Sequence, residues 1–201
     1  MSKILILPGD GIGEEVTKQC LKILDYLNSE TNYNFEYKEG LFGGASIDDC
    51  GKPLSNEVLD LAMESDAVLL GAVGGPKWES LDHNLKPEKG LLTLRKELGT
   101  FANLRPGKVF PALANASSLK SEVLKGTDIF VVRELTGGIY FGEPRYSKII
   151  DKKRVASIPL IYNEDEIARV AHEAFKISLK KNKKVTSLDK ANVLEVMQLW
   201  R

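Results

Sequence analysis

Only two cysteines, Cys20 and Cys50, occur in 201 residues. That scarcity excludes a disulfide-stapled scaffold and suits a reducing, cytoplasmic compartment in which thiols are packing residues. Charge of one sign is missing as well, because 28 Lys and Arg balance 28 Asp and Glu. The chain therefore has no overall field to draw it to nucleic acid or to an anionic membrane, and neither is expected as a partner. Long apolar runs are absent too. Nothing approaches the ~20 residues of a membrane span, and Ile4-Leu5-Ile6-Leu7 stops at Pro8-Gly9, too short for a signal-peptide core. What is there is the profile of a globular protein, 43% hydrophobic and 28% charged, with no repeat, low-complexity tract or linker. At ~150 residues per domain the length gives one large domain or two small ones.

Lys3 to Leu7 reads as a strand buried on both faces that ends in the tight loop Pro-Gly-Asp-Gly-Ile-Gly. A helix follows, with Val16, Cys20, Leu24 and Leu27 on one stripe and Glu14 and Glu15 in the first turn, where the dipole favours negative charge. Asn34 to Lys38 predicts a second strand, Gly43-Gly44 through Gly51-Lys52-Pro53 a turn-rich connection, and Ser55 to Glu64 a helix. Ala67 to Leu70 is another buried strand, broken at Gly74-Gly75-Pro76. This alternation predicts an α/β fold with parallel strands and a site in the loops at the strand ends. Further on, Leu91 to Leu98 reads as helix and Asp128 to Arg133 as a buried strand, whereas residues 144–161 fit no single element. Glu164 to Lys181 is the clearest helix, with Ile167, Val170, Ala171, Ala174, Phe175 and Ser178 on one face. Asn163 and Glu166 form a capping-box pattern at its start, and Lys180, Lys181 and Lys183 complement the dipole at its end.

Gly9, Gly11 and Gly13 have the spacing G-x-G-x-G, but Glu14 stands where a dinucleotide fingerprint needs its third glycine. Two carboxylates there would repel a pyrophosphate, so a tight structural turn that still brushes a ligand is the better reading. No Walker-type loop, Cys/His metal spacing or nucleophile elbow occurs. Arg95 in an apolar helix, Arg105 in Asn103-Leu104-Arg105-Pro106 and Arg133 at a strand end are awkward places for solvated charge. Converging, they would suit a small substrate with more than one carboxylate, since a guanidinium fork binds carboxylate bidentately. Taken singly, each is as well explained by a core-edge acid. Tyr140 follows the Thr136-Gly137-Gly138 loop, where a phenol either donates a proton or packs. Lys190 begins a helix in Ser187-Leu188-Asp189-Lys190-Ala191-Asn192, against the dipole, and is either a selected group or a solvated one. His83 and His172 are given no role.

Taken together, several blocks carry more information than any single residue: Leu7-Pro8-Gly9-Asp10-Gly11-Ile12-Gly13, Phe42-Gly43-Gly44-Ala45-Ser46-Ile47-Asp48, Gly71-Ala72-Val73-Gly74-Gly75-Pro76-Lys77-Trp78, Gly90-Leu91-Leu92-Thr93-Leu94-Arg95-Lys96, Phe101-Ala102-Asn103-Leu104-Arg105-Pro106, Val132-Arg133-Glu134-Leu135-Thr136-Gly137-Gly138-Ile139-Tyr140 and Asp189-Lys190-Ala191-Asn192-Val193-Leu194-Glu195. In this order they resemble the 3-isopropylmalate dehydrogenases, within the β-hydroxyacid oxidative decarboxylases, over nearly the whole chain. The resemblance implies a two-domain α/β fold with a mixed or parallel sheet. Residues 1–99 would give the first part of a cofactor-side domain and residues 100–201 part of a substrate and dimerisation domain. It further implies NAD-dependent oxidative decarboxylation of 3-isopropylmalate to 2-oxoisocaproate in leucine biosynthesis, by a homodimer using Mg²⁺ or Mn²⁺.

By the same resemblance, Arg95, Arg105 and Arg133 clamp the carboxylates of the malate moiety. Tyr140 protonates the enol left after CO₂ departs, and Lys190, donated across the dimer, takes the hydroxyl proton. Gly75, Pro76, Lys77, Trp78, Glu88, Asn192 and Ile12 fall in the cofactor-binding stretches, and Glu88, Leu91, Leu92 and Val193 where the family builds its isopropyl pocket. The family's metal-binding aspartates and its His-Gly-Ser-Ala-Pro adenosine segment lie past the position of Arg201, so no metal ligand is assigned and the isolated chain is expected to be inactive. Glu14 stands where members usually carry proline, and residues 145–161 match poorly. Two alternatives stay open. One is a sibling decarboxylase acting on isocitrate, tartrate or homoisocitrate, against which Leu91 and Leu92 speak; the other is a non-catalytic binding or interaction module.

Overall fold

The computed structural model describes residues 1–181 and 184–201. Lys183, expected at a helix end, lies outside them. The chain divides into two compact units, Met1–Gly99 and Thr100–Arg201.

In the first unit, β1 (Ser2–Gly9) is the expected apolar strand, and Leu5, Ile6 and Leu7 are fully buried. α1 (Ile12–Glu30) begins almost at once. It packs this close because Gly13 has no side chain: a Cβ there would sit 2.1 Å from the Pro8 carbonyl oxygen. The glycine loop is thus a tight structural turn. Gly13 and Thr17 are the buried positions of α1, whereas Val16 is 45% exposed, so the packed stripe is turned from the one the apolar residues predict. β2 (Phe35–Glu39) pairs parallel with β1.

α2 (Gly44–Cys50) corrects the expectation of a turn-rich connection. Glycines flank it and hide it in the sequence, and its first N–H groups are satisfied from afar by the carboxylate of Asp10. α3 (Asn56–Met63) is capped locally, with the Ser55 hydroxyl accepting the Val58 N–H. β3 (Ala67–Ala72) pairs parallel with β1, completing the order β2-β1-β3, and is half-buried where full burial was expected. α4 (Pro87–Glu97) starts four residues before Leu91, since proline is favoured in a first helical turn. Leu5, Leu7, Phe42, Val58, Ala62 and Leu94 make the core, and burying a side chain of the Val/Leu/Phe kind stabilises by about 1.5–3 kcal/mol.

In the second unit, β4 (Ala102–Lys108) and β5 (Asp128–Glu134) form a two-stranded antiparallel sheet, with the single helical turn α5 (Ser121–Leu124) between them in sequence. This overturns the expectation of a buried strand at 128–133: Ile129 is 59% and Val131 49% exposed. An apolar run reveals a strand but not its partner, and β4, carrying Arg105 and Pro106, does not read as one. β6 (Tyr146–Ile150) and β7 (Lys153–Ser157) resolve the ambiguous stretch as a hairpin. Its turn residues Asp151 and Lys152 have φ of 49° and 64°, the mirror-image turn that matches strand twist.

α6 (Glu164–Leu179) has the expected capping box: the Asn163 side chain accepts the Glu166 N–H and the Glu166 side chain accepts the Asn163 N–H. Val170 and Ser178 are its buried residues, but Phe175, expected on that face, is 58% exposed. No α-helix starts at Lys190. Its carbonyl accepts the N–H groups of Val193 and Leu194 in one turn, and a 3₁₀ segment, Glu195–Trp200, follows. A cation at a helix start opposes the dipole, which disfavours an α-helix beginning at this point.

Candidate active site

Pairing in the second unit sets Asn103 opposite Arg133 and Arg105 opposite Val131. Opposed and alternate residues share a face, so both arginines project from the same side of the β4–β5 sheet as diagonal neighbours, roughly 7–8 Å apart. Arg105 Nε donates to Asn103 Oδ1 at 2.6 Å. Arg133 Nη2 donates to Tyr140 Oη at 3.3 Å, with the guanidinium 5.4 Å from the ring centroid. Among the described residues neither arginine is ion-paired with an acid, so the core-edge pairing considered for them does not apply. Both are exposed, as is Tyr140 at 41%.

Tyr140 returns to Arg133 because the chain between them is pinned. Glu134, its side chain 1% exposed, accepts the Thr136 N–H at 3.0 Å, the Thr136 hydroxyl at 2.8 Å, the Gly137 N–H at 2.7 Å and Arg169 Nη2 at 3.3 Å. The Gly138 N–H donates to the Ile161 carbonyl at 2.8 Å. Tyr162 packs its hydroxyl end against Gly138, where a Cβ would fall 2.5 Å from Oη. Burial, followed by the nearby Glu134 carboxylate, pushes the Tyr162 phenol above its ordinary pKa. Glu134 and Arg169 were not singled out in the sequence. Glu134's partner Arg169 lies 35 residues away on α6, beyond the reach of any local pattern.

Lys190 is exposed. Its turn is fastened by Asp189, which accepts the Ala191 N–H at 2.7 Å and Arg201 at 3.0 and 3.2 Å. Arg201, and after it the Ala191 N–H, hold the Asp189 carboxyl below the usual aspartate range. Asn192 is exposed, and Val193 is 67% exposed.

In the first unit, Glu88, Leu91, Leu92 and Arg95 recur at helical spacing and form one stripe of α4. Leu91, Leu92 and Arg95 are half-buried and Glu88 is exposed. The Glu88 carboxylate lies over Gly74, where a Cβ would be 2.6 Å from Oε1. Pro76–Trp78 is a single 3₁₀ turn. Its two large side chains point back to α2: Lys77 Nζ donates to Asp48 Oδ2 at 2.6 Å, and Trp78 Nε1 donates to Asp48 Oδ1 at 3.2 Å. Lys77, with Trp78 second, keeps the Asp48 carboxyl below its usual range. With both side chains turned to α2, the Glu88 carboxylate stands over the Gly74 backbone. Ile12, at the start of α1, is 59% exposed beside Gly11, whose α-carbon faces open space. A cleft of about 330 Å³ between α1 and Phe42 is lined by Glu14, Thr17, Lys18 and Glu39 among others, and holds none of these site residues. Among the described residues no three His, Cys, Asp or Glu side chains are grouped to hold a metal ion. Nor is any helix among them long and apolar enough to cross a membrane.

Comparison with known proteins agrees with this architecture. Residues 3–201 match the family model described as isocitrate/isopropylmalate dehydrogenase. The chain is 55% identical to the 3-isopropylmalate dehydrogenase of Aquifex aeolicus and 54% identical to that of Hydrogenovibrio crunogenus, over 99% of its own length in each case. It spans about half the length of these curated relatives, 55% and 56%. Among solved structures, isocitrate dehydrogenase from Methylococcus capsulatus superposes on 100% of this chain and 55% of its own, with a TM-score of 0.80 at 24% identity, a likeness of fold. A β-decarboxylating dehydrogenase from Thermococcus kodakarensis gives a TM-score of 0.69 at 28% identity, covering 100% of this chain and 52% of its own. With its parallel sheet, its glycine turn and its blocks of matching residues, the chain belongs to the isocitrate/isopropylmalate dehydrogenase family.

Proposed function

We propose that this chain carries substrate and cofactor groups of an NAD-dependent dehydrogenase that oxidatively decarboxylates 3-isopropylmalate to 2-oxoisocaproate, acting as a cytoplasmic homodimer in leucine biosynthesis. The observation that carries the reading is the face shared by Arg105 and Arg133, neither neutralised by an acid, with the Tyr140 hydroxyl 3.3 Å from Arg133. Paired cations beside a phenol suit a dicarboxylate that must be held and then protonated.

In this reading Arg95, Arg105 and Arg133 bind the substrate's carboxylates. Leu91, Leu92 and Val193 give an apolar surface for its branched alkyl group, which favours isopropylmalate over a third carboxylate. Ile12, Gly75, Pro76, Lys77, Trp78, Glu88 and Asn192 form the cofactor surface, with Lys77 and Trp78 shaping it from behind through Asp48. NAD, when bound, supplies the hydride acceptor. Lys190 takes the hydroxyl proton as the carbinol C–H electron pair leaves, so the oxygen becomes a ketone. Loss of CO₂ moves the C–C bond pair into an enolate, and Tyr140 gives its proton to the carbon that lost CO₂ as the enolate oxygen returns to a ketone. The Arg133 guanidinium then compensates the charge left on the phenol oxygen. Mg²⁺ or Mn²⁺, when bound, would stabilise the enolate charge.

The test is Arg133→Met in the protein as its gene encodes it. A hydrogen bond to a charged group is worth about 1.5–3 kcal/mol, so kcat/KM for 3-isopropylmalate should fall about tenfold to 100-fold. A value within about threefold of the parent, under 1 kcal/mol, overturns the assignment. Isocitrate, tartrate and homoisocitrate, run beside it, should each be used less well than 3-isopropylmalate.

A further inference from the structure

Asp10 is the one acid in the loop after β1, and it is 4% exposed. Its Oδ2 accepts the N–H of Gly44 at 2.8 Å and of Gly74 at 2.7 Å, and its Oδ1 accepts the Ala45 N–H at 2.8 Å. Its own N–H donates to the Ala72 carbonyl at 2.7 Å. One buried side chain therefore ties together the end of β1, the start of α2 and the chain leaving β3. A buried charge costs several kcal/mol unless it is hydrogen-bonded. An apolar residue would fill the space without that cost; what a carboxylate adds is direction, with N–H groups from two separate segments fixed on one pair of oxygens. The neighbouring backbone is shaped to admit it, since Gly43 has φ +70° and a Cβ there would fall 2.5 Å from Asp10 Oδ2.

The other end of the same segment is fastened to the same helix. Asp48, on α2, holds the side chains of Lys77 and Trp78. The Trp78 ring occupies the space over Gly44, the first residue of α2, within 2.4 Å of where a Cβ would be. Gly74 is thus gripped from one side and Lys77 and Trp78 from the other. The Gly74–Gly75 backbone is held beside Glu88 without any side chain of its own over it.

We propose that Asp10 and Asp48 are positioning residues, a pair of carboxylate braces that fix the Gly74–Trp78 segment in the shape that receives the cofactor. This rests on the assignment of that segment to NAD made above. Neither acid touches the cofactor; both act through the backbone and side chains they hold.

The experiment compares Asp48→Asn and Asp10→Asn with the parent, in the protein as its gene encodes it. Three quantities are read: the NAD dissociation constant by calorimetry, deuterium uptake of residues 74–80 without cofactor, and KM for NAD against KM for 3-isopropylmalate. Asp48 is on the surface, so its variant keeps the test alive should Asp10→Asn fail to fold. Both variants should exchange faster over 74–80 and bind NAD about tenfold or more weakly, the scale of a misplaced binding segment. KM for 3-isopropylmalate should stay within about threefold of the parent. Unchanged exchange, or faster exchange with unchanged NAD affinity, overturns the bracing role. Glu88→Gln separates that failure from a failure of the underlying reading. If Glu88→Gln weakens NAD and the braces do not, only the bracing falls; if all three leave NAD affinity unchanged, the segment is not the cofactor's and the inference falls with it.

Discussion

Tyr140 and Lys190 are held in different ways, and the difference predicts how each replacement fails. Tyr140 is carried on a loop pinned by Glu134 and placed against Arg133, so Tyr140→Phe keeps ring, loop and guanidinium stacking and removes only the acid. The hydride burst in a single turnover should survive, while completed turnover falls by the ~10²–10⁴ typical of a general acid. Lys190→Ala should instead suppress the burst itself. Where the lysine serves the neighbouring subunit's site, mixing the two variants should return some activity through sites that draw intact Tyr140 and intact Lys190 from different chains. Equal loss of the burst in both, or no recovery despite demonstrated subunit exchange, would remove these roles. At this scale the sequence makes Arg133 and Tyr140 visible through their motif, but not what holds them. Glu134 sits beside Arg133 in the chain yet bonds to Thr136, Gly137 and Arg169, a set of partners that exists only once α6 has packed.

Among the elements, α6 writes its start locally. Asn163 and Glu166 satisfy each other's backbone N–H groups, so Asn163→Ala should cost about 1 kcal/mol in a denaturant titration, the usual worth of an N-cap. A loss below about 0.3 kcal/mol would mean that the cap bonds are replaced by water at no cost. The same locality explains which elements could be read in advance. β1, α3 and α6 announce themselves through their own apolar spacing and caps. α2 does not, because its cap is Asp10, 34 and 35 residues earlier in the chain. β4 does not either, because a segment containing Arg105 and Pro106 becomes a strand only against β5. The exposed faces of β5 and of α6 around Phe175 show the converse: apolar spacing predicts an element's existence better than its burial.

At the scale of the molecule, the two units differ in how deeply their strands lie. β1 is central in a three-stranded sheet with Leu5, Ile6 and Leu7 buried on both faces. Among the described residues each strand of the second unit has a single partner, and β6 is exposed along its whole length. Amide exchange reports local opening, so β1 amides should exchange at least about tenfold more slowly than those of β6 and β7. Comparable protection in both would mean that the hairpin is covered by something other than the residues described. The hairpin carries one more consequence, for how such a chain can change over time. Its Asp151-Lys152 turn locks Ile150 opposite Lys153 and, at the fifth pair, Tyr146 opposite Ser157. Side chains alternate faces with a period of two, so a single inserted residue forces a bulge, and one inserted in each strand turns the tip over. Only additions or deletions of two residues per strand leave every face where it was. The hairpin can therefore lengthen or shorten only in steps, never gradually.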